Sequence, residues 1–132
     1  MKAATLVLLA LFAQALSLQF WVVTVHNEVG SNLSLGNFTC NLPVRHKLPS
    51  SLRTGSSDFF VTQGDALSAS FTYSASENQV SFNVDAPEGW SDLKATAEVT
   101  GETLIATTKP RCATLAANVN RCTIDFTVTK KN

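Results

Sequence analysis

Residues Leu67–Asp85 have the sequence LSASFTYSASENQVSFNVD, which carries the strongest structural signal of the chain. Apolar residues alternate along it with Ser, Thr, Asn and Asp, and the alternation is interrupted at Ser76-Glu77-Asn78. A period of two is typical of a β-strand with one buried and one solvated face. The segment therefore predicts a β-hairpin with one apolar face and one hydroxyl-rich face.

The same alternation recurs on both sides of this hairpin. It predicts strands over 20–25 (FWVVTV), 33–40 with a bulge at Gly36, 58–62 and 122–129, and a second hairpin joining 93–99 to 103–108. Only 113–119 is a candidate for a helical turn or two. About eight short strands with regular turn signals predict an all-β, single-domain antiparallel β-sandwich of immunoglobulin-like or related Greek-key architecture. The Cys…Trp…Cys spacing of true immunoglobulin domains is absent.

The first seventeen residues are predicted to be a secretory signal peptide. Lys2 is followed by the apolar run LVLLALF (6–12) and by small residues at Ala13, Ala15 and Ser17. This is the layout of a cleaved leader, and it is shorter than the roughly 20 residues of a bilayer span. We therefore expect a secreted, extracellular protein with its β-sandwich domain over 18–132.

The charge balance argues against nucleic acid as a partner. Ten basic residues face ten acidic ones, and charged residues make up only 15% of the chain. Nucleic-acid binders normally carry a basic patch and a high pI, and neither is present here. A polybasic mode of membrane attachment is unsupported for the same reason.

The three cysteines are expected to form one disulfide and leave one thiol over, because the predicted compartment is oxidising. Cys112 and Cys122 enclose a short loop before the last predicted strand, and this is the pairing we predict. The alternative joins Cys40 to one of them. An unpaired Cys40 either packs in the core as a small apolar residue or links two chains into a covalent dimer.

Two glycosylation sequons lie close together in the second predicted strand region. They are Asn32-Leu33-Ser34 and Asn37-Phe38-Thr39. In a eukaryotic secretory pathway both asparagines are candidate acceptors, which requires their side chains to face solvent.

No catalytic constellation is visible in the sequence. The two histidines, His26 and His46, lie in no Gly-x-Ser-x-Gly or His-Glu-x-x-His motif, and both are expected at the surface. The carboxylates near strand ends select no pair for glycoside hydrolysis and no dense calcium loop. We therefore expect a protein that is not an enzyme and that uses no metal and no cofactor.

Aromatic residues are the remaining candidates for a binding site. Trp90 lies in the turn Ala86-Pro87-Glu88-Gly89-Trp90, where it either is exposed or folds back on the end of the sandwich. Phe20-Trp21 and Phe59-Phe60 are adjacent pairs, so one member of each should face outward. From them we take Trp90, Trp21 and Phe60 as ligand-binding candidates.

The function predicted from the sequence is that of a secreted, non-enzymatic binding protein. Hydroxyl-rich faces and outward aromatic side chains suit an extracellular carbohydrate or protein ligand. The alternatives are a membrane-active toxin or defence protein, in which membrane contact is possible but not favoured, and an extracellular structural protein.

Overall fold

The computed structural model describes residues 18–131, and these fold into ten β-strands with no α-helix among them. In chain order the strands are β1 (Leu18–Glu28), β2 (Leu33–Cys40), β3 (Val44–His46), β4 (Ser51–Leu52), β5 (Ser57–Gln63), β6 (Leu67–Ala75), β7 (Asn78–Ala86), β8 (Lys94–Thr100), β9 (Leu104–Ala116) and β10 (Val119–Lys130). A single 3-10 turn, Trp90–Asp92, separates β7 from β8. The predicted signal peptide, 1–17, lies outside the described residues.

The strands form two five-stranded sheets. The order in one sheet, here called sheet A, is β3-β5-β1-β10-β9, and the order in the other, sheet B, is β4-β2-β6-β7-β8. All neighbours are antiparallel except β1 and β10, which run parallel from Leu18 opposite Val119 to Glu28 opposite Thr129. The prediction of an all-β sandwich is confirmed.

The core lies between the sheets and is rich in aromatic rings. The ring of Phe71 on β6 stacks on that of Phe82 on β7, with centroids 4.8 Å apart. Phe126 on β10 meets Phe82 edge to face at 4.8 Å, and Phe60 on β5 meets Phe71 in the same way at 5.8 Å. Since β5 and β10 belong to sheet A, these edge-to-face contacts join the two sheets, each contributing about 0.5–1.5 kcal/mol beyond the burial of area.

The hairpin predicted from 67–85 is present as β6 and β7, in register from Leu67 opposite Ala86 to Ala75 opposite Asn78. Its inward residues are buried and its outward residues are Ser, Thr, Asn, Gln and Asp. Ser76, in the turn, has φ 54°, a left-handed conformation that is uncommon for a residue other than glycine.

Two sequence-based expectations were wrong. The second predicted hairpin does not exist, because β8 pairs with β7 in sheet B whereas β9 pairs with β10 in sheet A. The candidate helical turn over 113–119 is instead the end of β9 and the start of β10. Alternation identifies a strand but not its partner, and cross-strand pairing overrides the helical preference of the alanines.

Candidate functional site

The end of the β9–β10 hairpin extends beyond the covered part of sheet A. Residues 109–122 of this hairpin are called the arm. Every residue of β9 from Lys109 to Ala116 is exposed, whereas the first half of the strand alternates between covered and exposed positions. Both faces of that part of β9 are therefore open to contact with another molecule. Pro110, which has no backbone N–H to donate, fits here because β9 is an edge strand.

A disulfide lies across the arm near its base. Cys112 and Cys122 are directly opposite in the register of β9 and β10, with Cα atoms 4.0 Å apart, and they are bonded to each other. Cys122 is fully buried while Cys112 is exposed, so the bond connects the exposed strand β9 of the arm to the part of β10 that enters the core. The structure therefore contains the Cys112–Cys122 pairing that was predicted from the sequence.

Cys40, at the end of β2, is a free thiol in the structure. It is half-buried and packs against the core. Burial raises the pKa of the Cys40 thiol, and a backbone hydrogen bond involving Leu42 partly offsets that shift. This placement fits a small apolar residue, and the disulfide-linked dimer through Cys40 stays a prediction.

The tip of the arm carries an exposed leucine. Ala116 is opposite Val119 and Thr114 is opposite Asn120, so Leu115 is the extra residue of a β-bulge. Its side chain is 52% exposed. Asn118 in the tip turn has φ 62°, a conformation that asparagine tolerates.

Trp90 lies beside the arm on the side that faces sheet B. Its side chain lines a small cavity of about 60 Å³ together with Cys112, Ala113, Thr114 and Asn120. Half of Trp90 is nevertheless exposed, at 50%. The sequence left open whether Trp90 is exposed or folded back on the end of the sandwich. Both are partly true, since the ring lies against the arm and still exposes one face to solvent.

The opposite side of the arm carries two arginines. Arg111 and Arg121 line a shallow depression of about 280 Å³ with Cys112, Ala113 and Thr123. Nη2 of Arg111 is 3.6 Å from Oδ2 of Asp125, which partly compensates its charge. Within the described part of the chain Arg121 has no ion pair.

Trp21 and Phe60 cannot contact a ligand in this structure, which corrects their selection as binding candidates. Both side chains are 0% exposed, because they share strand parity with the core residues Val23 and Thr62. The indole Nε1 of Trp21 donates a hydrogen bond to the carbonyl oxygen of Gly64 at 2.8 Å, so its polar atom is satisfied inside.

The outward member of the second aromatic pair is Phe59, which is 39% exposed. The imidazole of His46 stacks on it with centroids 4.5 Å apart, and its Nε2 lies 2.9 Å from Oδ1 of Asp58. Along β5, Phe59 shares its face with the apolar Val61 whereas Phe60 shares its face with Thr62, so alternation alone did not identify Phe59 as the outward member. The exposure of Leu115 had no signal in the sequence either, because it depends on the end of sheet B and on the bulge.

His26 takes part in a hydrogen-bonded cluster on the outer face of sheet A. Its Nδ1 is 2.5 Å from Oγ of Ser57, and its Nε2 is 3.4 Å from Oδ1 of Asp125. His26 and Ser57 are direct register partners of β1 and β5, and Ser57 is exposed. The residue types are those of a hydrolase triad, but the contact between His26 and Ser57 is also what the sheet register produces by itself.

Both predicted glycosylation acceptors, Asn32 and Asn37, are exposed. The Oδ1 of Asn32 accepts a hydrogen bond from the backbone N–H of Thr54 at 3.4 Å. The bulge in β2 places Asn37 on the outer face of sheet B. Their accessibility meets the steric requirement for a glycan, and glycosylation itself stays a prediction.

Comparison with known proteins gives a fold and no family. The chain matches no family model, and no curated protein matches it significantly. Among solved structures it resembles the 1.5 Å crystal structure of the lipid binding protein Nakanori, with a TM-score of 0.68 and 10% sequence identity over 83% of this chain and 70% of that one. Residues 18–131 contain no helix long and apolar enough to cross a bilayer.

Proposed function

We propose that this protein is a small, secreted, non-enzymatic binding protein that attaches to a phospholipid surface through its arm. The observation that carries the proposal is the placement of Trp90 and Leu115 at one end of the molecule. They are the two most exposed large apolar side chains of residues 18–131. Exposed apolar groups gathered in one place mark a contact site.

The chemistry of these two side chains suits the boundary of a bilayer. Tryptophan combines a large apolar ring with a polar N–H, and it is enriched at membrane–water interfaces for that reason. Leu115 is at the tip of a hairpin whose turn contains only Ala117 and Asn118. Such a tip can enter the headgroup region without burying a charge.

The arginines of the arm supply a complement for lipid phosphate. A guanidinium group donates paired hydrogen bonds to phosphate oxygens, and two such groups border one depression here. A cation near an anionic membrane surface contributes about 1 kcal/mol. Arg121 is the stronger contributor, since Asp125 compensates part of the charge of Arg111.

The similarity to Nakanori supports the proposal only at the level of the fold. That structure is described as a lipid binding protein, and the sandwich is shared at 10% identity. The ligand class is therefore argued from the residues of the arm, with the fold as a consistent background.

Vesicle flotation tests the proposal directly. The chain from residue 18 onward is mixed with phosphatidylcholine vesicles, with and without added phosphatidylserine. We expect flotation with vesicles, abolished in Trp90→Ala/Leu115→Ala. The matched control is Ile105→Ala, which removes an apolar side chain of 42% exposure from β9 outside the arm and should leave flotation unchanged. A parent protein that binds neither type of vesicle contradicts the proposal.

The contribution of the arginines is tested separately. Arg121→Gln should weaken binding to phosphatidylserine vesicles roughly fivefold at low salt. The matched control is Arg53→Gln, an exposed arginine in the loop after β4. Equal weakening by both variants would show a general charge effect and remove Arg121 from the proposal.

A carbohydrate or protein ligand is the second candidate, favoured by the outer face of sheet B. A shallow depression of about 290 Å³ there is lined mainly by hydroxyl and amide side chains, those of Asn37, Ser70, Thr72, Ser81 and Asn83. Such groups can donate to and accept from sugar hydroxyls. Specific glycan binding that survives Trp90→Ala/Leu115→Ala and is lost in Ser81→Val would favour this face over the arm.

Secretion is tested by expressing the full chain in a eukaryotic cell. We expect protein in the medium that has lost 1–17 or a slightly shorter leader, as determined by N-terminal sequencing. Digestion with an N-glycosidase should increase its gel mobility, and the double variant Asn32→Gln/Asn37→Gln should remove that shift. Retention of residues 1–17 in the secreted protein contradicts the leader.

A further inference from the structure

A second cavity opens on the side of the sandwich, away from the arm. It has a volume of about 370 Å³ and is lined by Leu35, Phe38, Val44, Lys47 and Leu48. Four of the five lining residues are apolar. The volume is within the range of small-molecule sites, which is about 300–1,000 Å³.

One wall of the cavity is produced by the bulge in β2. Leu35 is opposite Tyr73 and Phe38 is opposite Phe71, so three steps along β2 correspond to two steps along β6. The two side chains consequently share the inward face, where both pack against the core. Phe38 is fixed there by edge-to-face contact with Phe60 at 5.1 Å.

The other wall is the segment from Pro43 to Pro49, which is anchored at both ends. The buried hydroxyl of Thr62 donates a hydrogen bond to the carbonyl oxygen of Pro43 at 2.7 Å. The phenol of Tyr73 donates to the carbonyl oxygen of Pro49 at 2.8 Å. The cavity is thus bounded by two restrained walls, and this restraint lowers the ordering cost of binding.

Lys47 is the one charged residue among the five that line the cavity. Its neighbours along the segment are engaged elsewhere, since Arg45 donates to Oε1 of Gln63 at 3.3 Å and His46 contacts Asp58. Within residues 18–131 Lys47 has no ion pair. An apolar cavity with a single ammonium group beside it complements an apolar chain that ends in an anion.

We propose that this cavity binds a free fatty acid, with the acyl chain against Leu35, Phe38, Val44 and Leu48 and the carboxylate paired with Lys47. The inference deepens the proposed function and rests on it for the class of ligand, but it uses none of the residues of the arm. The long aliphatic stem of Lys47 can lie along the chain while its ammonium group stays in water with the carboxylate.

Titration with laurate below its micellar concentration tests the site. We expect saturable binding at one site, with NMR shifts concentrated on the amides of Leu35, Phe38 and Leu48. Lys47→Met should weaken laurate binding about tenfold, a change of about 1.4 kcal/mol, and leave binding of uncharged dodecanol unchanged. The matched control is Lys94→Met, at an exposed position of β8, which should bind laurate like the parent.

Absence of laurate binding by the parent protein, or equal affinity for laurate in the parent and in Lys47→Met, overturns the inference. Trp90→Ala/Leu115→Ala separates it from the proposed function, because this variant should lose vesicle flotation and retain laurate binding. Laurate binding without vesicle flotation in the parent would refute the arm and support the cavity. Flotation without laurate binding would support the arm and refute the cavity.

Discussion

Leu35 and Phe38 are separated by two residues, yet their side chains lie on the same face of β2, opposite Tyr73 and Phe71 of β6. In a regular strand, residues three positions apart point to opposite faces. The bulge between them turns Asn37 outward to the solvent face and Phe38 inward to the core. One local irregularity thus affects both an accessible sequon and a wall of the side cavity.

Gly36 is expected to be essential for this bulge. A Cβ atom at Gly36 would overlap with Oγ1 of Thr72 on β6. Gly36→Ala should therefore lower the free energy of unfolding by about 1–3 kcal/mol, as overpacking does in general. Urea denaturation measures the change. Thr72→Ala in the same chain should recover most of the loss, and failure to recover it would place the strain elsewhere.

The folded protein is expected to lose stability at alkaline pH because of Tyr73. Burial raises the pKa of Tyr73, and the negative charge of Asp58 raises it further. Because the folded state holds the phenolic proton more tightly, this contribution to stability is complete below the unfolded pKa of about 10 and decreases as the pH rises above it. Urea midpoints of the parent should consequently fall above that pH.

Tyr73→Phe separates the two effects of the phenol. At neutral pH it should cost about 1 kcal/mol, because the hydrogen bond to Pro49 is lost. Above pH 10 the stability of Tyr73→Phe should decline less steeply than that of the parent, because the variant has no phenol to ionise at this position. Tyr73 is the only tyrosine of the chain, so phenolate absorbance reports its titration without overlap. Ionisation at the ordinary pH in the folded protein would contradict its burial.

Asn27 is predicted to be the most sensitive polar residue of the core. Its side chain is fully buried, donates to the carbonyl oxygens of Ser31 and Leu52, and accepts from the N–H of Val29. Asn27→Leu leaves three backbone groups without these partners, at about 1–3 kcal/mol for each group that stays buried. Thermal unfolding should show a large decrease, whereas Asn83→Leu, at an exposed position of β7, should change little.

The disulfide is expected to stabilise the arm more than the sandwich. Replacing both Cys112 and Cys122 by serine should lower the free energy of unfolding by at most about 3 kcal/mol, since the closed loop is short. Hydrogen exchange should accelerate first at the arm amides. Cys40→Ser serves as the control, and a comparable acceleration of the arm in that variant would contradict the assignment.

The cluster of Ser57, His26 and Asp125 is predicted to be structural, in line with the non-enzymatic function proposed above. Hydrolysis of p-nitrophenyl acetate by the parent protein should not exceed that by Ser57→Ala. The physical reason is that Ser57 and His26 meet as cross-strand partners on an open sheet face. Ester turnover that depends on Ser57, together with burst kinetics, would establish an acyl-transfer activity instead.

Much of the local structure was predictable from alternation alone. The buried residues of β6, β7 and β10 are those whose apolar side chains recur at every second position. The same alternation is ambiguous for the Phe59-Phe60 pair, because Phe59 shares its face with Val61 and Phe60 shares its face with Thr62, and only the packing of the sheets decided which ring is buried. Trp21 lies on the same face as Val23 and Val25, so its selection as a ligand contact went against strand parity.

The sequence by itself determined that the chain is an all-β sandwich, where most of its longer strands lie and which face of the β6–β7 hairpin is apolar, because the period of side chains along a strand is a local property. Only the tertiary structure decided that β8 and β9 belong to opposite sheets, that Trp90 lies against the arm whose tip carries Leu115, and that Leu35, Phe38 and Lys47 border one cavity. These relationships depend on pairing and packing between residues far apart in the chain. No local period records which distant strand becomes the partner, or where a bulge shifts the register.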